Sequence, residues 1–204
     1  IRAKFREDAL YIGAIFEGDL IFDYSEIYSD IYLTNATYKG DISFIGAQFG
    51  KRIFVSWDSI KDHLVYDGPT YLFMTRNYNN LELFDDADRC YFNYRITRFK
   101  KLKIQQKLID SIPLLAFGYG VKPYYPVMIG ALIILIFAII YLLFGNAHTA
   151  QSLQNSSIIS IAIFATQTRT ESFEGWLYLV SIFEAILGVF IISCFIVSLA
   201  KTLR

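Results

Sequence analysis

The chain has 204 residues, 19 acidic and 19 basic side chains, and a formal net charge of zero. A neutral balance supplies no long-range field for a polyanion and argues against nucleic acid as a partner. Hydrophobic residues make up 54% and aromatics 17%, but nearly all the charge precedes Lys122. One polar and one membrane domain of similar size are therefore expected. The two cysteines, Cys90 and Cys194, fall on an expected soluble helix and inside an expected span. A disulfide between them is not expected, and the polar part reads as reduced and intracellular. The N-terminus, IRAKFREDAL, has no apolar run of a secretory signal, and the missing initiator Met points to a piece of a longer protein.

In residues 1–55 an apolar side chain recurs about every five positions: Phe5, Leu10, Ile15 and Leu20, then Leu33 and Tyr38, then Phe44, Phe49 and Phe54. Small residues often stand two places ahead, as Ala36 before Tyr38 and Ala47 before Phe49. The period is neither 2 nor 3.6, and short internal repeats suggest a solenoid in which each repeat buries its central side chain. The register slips between Ser25 and Leu33 and again near Ser43. Through NATYKGDISFIGAQFGKRIF this stretch resembles the pentapeptide-repeat family, which implies a right-handed, four-sided β-helix. A small irregular β domain is the alternative. The acids Glu7, Asp8, Glu17, Asp19, Asp23 and Glu26 read as a solvated face, and nothing here looks catalytic.

Residues 56–117 read as a cytoplasmic helical connector. Ser56 before WDSIKDHL suits an N-cap, YDGP is a turn, and Pro69 suits the first turn of the next helix. NYNN breaks the pattern. From Asp85 to about Ile109, apolar positions at helical spacing (Ala87, Tyr91, Tyr94, Phe99, Leu102) predict one helix. Asp85 and Asp86 near its start and the basic run near its end complement the helix dipole. That basic run also suits contact with anionic lipid.

Residues 118–204 carry the membrane signal. Tyr124 to Gly145 has no charge and is long enough to cross the hydrocarbon core. A second apolar run covers about 175–200, with Glu184 its one charge before Lys201. Pro123 and Pro126 set the chain's approach to the first span, with Tyr124 and Tyr125 as interfacial anchors. Between the spans, about 152–165 is helical in pattern, capped by Ser152 or Asn155, and too short to cross. Backbone that enters and returns is tolerated at depth only when it is buried in protein or lines a water path. Basic residues precede the first span and follow the second, which puts both termini in the cytoplasm of a plasma-membrane protein.

Span, short helix and span, together with FGYGVKP before the first span and FEAILGVF in the second, resemble the two-transmembrane potassium-channel-like pore domain. The form resembled is that of bacterial and archaeal channels carrying a pentapeptide-repeat module, which implies a homotetramer. The family filter, threonine-(valine/leucine)-glycine-tyrosine-glycine-aspartate, falls here on Thr166, Gln167, Thr168, Arg169, Thr170 and Glu171. Both glycines are gone. Some carbonyl-lined filter conformations need glycine, so a wider filter lined by side chains is expected, without the usual potassium selectivity. Arg169 either faces the axis, favouring anions, or turns away to pair with Glu171 or Glu174.

Glu184 and Gly188 lie one turn apart on one helix face. An intramembrane carboxylate marks a functional site by default. Glu184 either lines a cavity or is hydrogen-bonded behind the filter to serines of the short helix. Gly188 matches the bend of such pores or serves close packing. Ile191 or Ile192 continues the face, and Phe195 or Leu199 suits a hydrophobic gate. The expected function is an oligomeric channel for monovalent or divalent cations, with no cofactor beyond permeant ions and no enzyme activity. An anion pore through an Arg169 ring and a membrane-anchored binding protein are the alternatives.

Overall fold

The computed structural model describes residues 3–145, 152–167, 173 and 175–202. They form two units, residues 1–103 and residues 104–204. The helices expected between residues 56 and 117 divide between them.

Unit 1 begins with ten two-residue strands: β1 (Lys4–Phe5), β2 (Ala9–Leu10), β3 (Ile15–Phe16), β4 (Leu20–Ile21), β5 (Glu26–Ile27), β6 (Ile31–Tyr32), β7 (Thr37–Tyr38), β8 (Ile42–Ser43), β9 (Gln48–Phe49) and β10 (Ile53–Phe54). Pairing is parallel throughout, in four separate sheets ordered β1-β5-β9, β10-β6-β2, β3-β7 and β4-β8. The period of five needs refinement. Strands start at 4, 9, 15, 20, 26, 31, 37, 42, 48 and 53, alternating steps of five and six. Each longer step contains a residue with left-handed backbone: Gly13 (φ 67°), Tyr24 (55°), Asn35 (58°) and Gly46 (66°). Only glycine adopts this conformation without strain. What reads in sequence as a slipping register is this alternation. Pairing itself is constant, as in Lys4 with Glu26 and Glu26 with Gln48.

The expected fold class is corrected. Among the described residues 60% are helical, in seven helices, and no closed or solenoid β-helix is seen. A turn after every pair of extended residues keeps each strand too short for a continuous ladder. Helices also supply much of the apolar cover. The core joins Ile27, Ile31, Ile42, Phe44 and Ile53 to Trp57, Ile60, Tyr71, Met74 and Tyr78 from α1 (Trp57–Ile60) and α2 (Gly68–Asn80). Aromatic rings stack between paired strands, with centroids 5.0 Å apart for Phe22 and Phe44 and 4.6 Å for Tyr32 and Phe54.

Several acids assigned to a solvated face also satisfy backbone donors, Asp8 and Asp19 while remaining exposed. Asp8 Oδ1 accepts from Asp30 N at 3.0 Å, Asp19 Oδ1 from Asp41 N at 2.9 Å and Asp23 Oδ1 from Ile45 N at 2.9 Å. Asp30 and Asp41 directly precede β6 and β8, and Ile45 follows β8, so each N–H lies just outside a two-residue strand. Asp30 is itself buried and accepts from Arg52 N and Arg52 Nη2, both at 3.0 Å. Burial pushes its pKa up, but the Arg52 hydrogen bonds and charge outweigh it and hold the carboxyl below the usual 3.8.

Ser56 stands at the N-cap of α1 but makes no side-chain cap bond; Asp86 Oδ2 accepts from Trp57 N at 3.1 Å. In α2, Asp67 caps Thr70 N at 3.1 Å, Pro69 lies in the first turn, and the helix runs through NYNN before stopping. Asn77 explains that continuity: its amide donates to Ile53 O at 2.7 Å and accepts from Ile53 N at 3.0 Å. The single helix expected from Asp85 to Ile109 is two, α3 (Phe84–Lys101) and α4 (Ile104–Phe117), separated by an extended Leu102.

In unit 2, α4 leads through a 3-10 turn at Gly118–Gly120 to α5 (Tyr124–Phe144), α6 (Leu153–Thr166) and α7 (Trp176–Thr202). Tyr119 sits in the turn with φ 56° and donates its hydroxyl to Asp110 at 2.8 Å. α5 and α7 are long and apolar enough to cross a membrane, and only 22% of each span's most apolar window is buried within the chain. The core helix of a water-soluble protein is mostly covered by its own chain; these are not.

Candidate functional site

The site is built where α6 lies between the two spans. Its amino-acid content makes it a helix of 14 residues, about 21 Å long, against a hydrocarbon core of about 30 Å. Ser152 is its cap, accepting from Asn155 N at 3.2 Å. The helix packs on both α5 and α7. Its side chain Ile163 joins a core with Phe137, Tyr141, Phe173 and Leu177, in which the Tyr141 and Phe173 rings stack at 4.7 Å.

Two glycines receive the C-terminal end of α6. A Cβ at Gly188 on α7 would press into Phe164 O, closer than any real contact. A Cβ at Gly130 on α5 would meet Phe164 Cζ at 3.2 Å. The spans thus form a notch around Phe164, and Gly188 is there because any side chain would collide with backbone. This is the close-packing alternative for Gly188. Gly130 is a site residue that sequence reading missed; one glycine within an apolar run gives no sign of what it faces.

A polar tie locks the same three helices. Glu184 is 0% exposed. Tyr141 on α5 donates its hydroxyl to Glu184 Oε2 at 2.6 Å, and Ser160 on α6 hydrogen-bonds to Glu184 Oε1. Ser160 Oγ also lies 3.0 Å from Ile134 O. Glu184 is thus placed hydrogen-bonded, on a serine of the short helix. Tyr141 is the partner that sequence reading did not name. A buried carboxylate costs several kcal/mol unless it is well bonded, which is why both its oxygens are taken.

Beyond Phe164 the helix end is open. Ala165, Thr166 and Gln167 are exposed. Thr166 Oγ1 donates to Ala162 O at 2.6 Å, and Gln167 caps the helix in left-handed conformation (φ 56°, ψ 20°), its N–H reaching Ile163 O at 3.0 Å. A helix C-terminus carries about half a negative charge from unpaired carbonyls. Of the six filter positions, Thr168, Arg169, Thr170 and Glu171 lie outside the described residues, as does Glu174. Along α7, a cavity of about 220 Å³ is lined by Gln167, Ile163 and the run Ser181, Ile182, Ala185, Ile186 and Val189. A second cavity of about 330 Å³ lies between α5 and α7, next to Phe164, Ile191, Ile192 and Phe195. Ile191 is buried on Phe164's side of the bundle, whereas Leu199 is exposed.

Among the described residues no group of three or more His, Cys, Asp or Glu could hold a metal. Both cysteines are free; burial pushes the Cys90 thiol up to about 12, away from a reactive thiolate. Comparison with known proteins finds no matching family model, no similar curated protein and no similar solved structure.

Proposed function

We propose that this chain is one subunit of a homotetrameric channel of the plasma membrane, conducting monovalent or divalent cations with weak or non-potassium selectivity. One observation carries the reading: an apolar helix too short to span is fastened between two spanning helices by a glycine notch and a buried carboxylate, and its C-terminal end is left open. A tether needs two spans but no such helix. With four copies round one axis, four α6 termini would converge, and their partial negative charge would favour a cation. Thr166 and Gln167 would begin the filter and line it with side-chain oxygens. The basic residues before α5 and after α7 support cytoplasmic termini. The resemblance to potassium-channel-like pores supports the subunit count, and no catalytic role is assigned.

Purified protein in planar bilayers tests this. Bi-ionic reversal potentials should follow the cation gradients, and Gln167→Ala should change the ratio of cation permeabilities. Reversal set by chloride alone would make the pore anionic, and absence of any current from a tetrameric preparation would leave a membrane tether.

A further inference from the structure

Unit 1 holds a cleft unrelated to the α6 site. It is about 430 Å³ in volume and lies between residues 49–52 and one face of α2. That is within the usual size of small-molecule sites. One wall is apolar and fixed, since the Phe49 and Phe73 rings stack at 3.9 Å. The floor is fixed as well, because Asn77 spends both ends of its amide on Ile53. The remaining lining is basic: Lys51, Arg52 and Arg76, with Asn80 beside them.

We propose that this cleft binds a phosphate-bearing anion of at least diphosphate size. The charge balance carries the argument. Arg52 is anchored, bonded to Asp30 at 3.0 Å and lying 5.2 Å from the centre of the Phe54 ring. Arg76 donates Nε to Leu72 O at 3.3 Å, which leaves its terminal nitrogens free to meet an anion. Among the described residues neither Lys51 nor Arg76 forms a salt bridge, although Asp30 feels the Lys51 charge at longer range. Three cations therefore face one concave space with one carboxylate among them. Such focusing raises the local concentration of anions. The planar fork of arginine bonds phosphate oxygens in pairs, and the volume exceeds what a single phosphate fills. The site is independent of the channel reading, because every residue in it belongs to unit 1.

The full chain in uncharged detergent micelles should bind pyrophosphate saturably by calorimetry, with Kd below about 1 mM. Replacing Lys51 and Arg76 together by Glu should weaken that binding at least about tenfold, while Lys100→Glu, a charge reversal outside the cleft, leaves it unchanged. Far-UV circular dichroism confirms that both variants fold. A short-chain diacylglycerol pyrophosphate, titrated in the same way, separates the sources of the anion. If it binds through Lys51 and Arg76 and pyrophosphate does not, the ligand is a lipid headgroup; if pyrophosphate binds, it is a soluble phosphate. The proposal is overturned if neither probe saturates, or if the double variant and Lys100→Glu behave alike.

Discussion

The two units place polar and apolar groups in opposite ways. Unit 1 buries Ile31, Phe44, Trp57 and Tyr78 and keeps most of its ion pairs at the surface, such as Lys39 with Glu17 and Arg89 with Asp58. Unit 2 leaves Leu132, Leu135, Leu179, Phe183 and Val197 exposed and buries Ser156, Ser160, Ser181 and Glu184. The hydrophobic effect drives the first arrangement in water. It cannot drive the second in lipid, where helices associate through close packing of small residues and hydrogen bonds. So Gly188 and Glu184 do in unit 2 what the aromatic stacks do in unit 1.

That contrast can be broken at its strongest point. Gly188→Ala forces a methyl against the Phe164 carbonyl, which belongs to backbone and cannot swing aside. It should destabilise unit 2 by about 3 kcal/mol, the upper range for overpacking, and lower the unfolding temperature in detergent; an unchanged temperature would mean that α6 is not held in the notch. Next in size, Glu184→Leu strands the Tyr141 and Ser160 hydroxyls and should cost about 2 kcal/mol. Glu184→Gln, which keeps an acceptor for Tyr141, should recover most of that loss in the same measurement. Equal losses for Leu and Gln would show that volume matters there and hydrogen bonding does not.

The smallest effect sharpens the comparison from the side of unit 1. Asp30 has its folded pKa lowered below 3.8. The stability it contributes is therefore present above 3.8 and lost as pH falls through the lower folded value. Asp30→Asn should cost about 1 kcal/mol at neutral pH and flatten the acid limb of the unfolding curve. A wild-type curve indifferent to acid over that window would remove Asp30 from the account.

Much of unit 2 was legible in sequence because length and apolarity are local. The spans, the short helix and its Ser152 cap all follow from residue runs that need no knowledge of partners. The end of the short helix is less accessible: Gln167 takes the left-handed conformation although nothing about glutamine announces it. In unit 1 the apolar recurrence was visible, but its alternation of five and six was not. The extra residue in each longer step is identified by a backbone angle, and two of the four residues concerned, Tyr24 and Asn35, are not glycine. Asp8 and Asp19 are the exposed acids that their charge suggests, but charge alone says nothing about the N–H groups that a fold brings beside them and beside Asp23.

By itself, then, the amino-acid sequence determined where the chain is apolar for long enough to span and where it is not, since a helix in lipid must meet all its backbone needs within one segment. Tertiary structure alone decided that Phe164 rests against Gly188 and that Glu184 meets Tyr141, 43 positions away, and Ser160, 24 away. Those choices depend on which faces of three helices meet, and no single stretch of the chain contains that information.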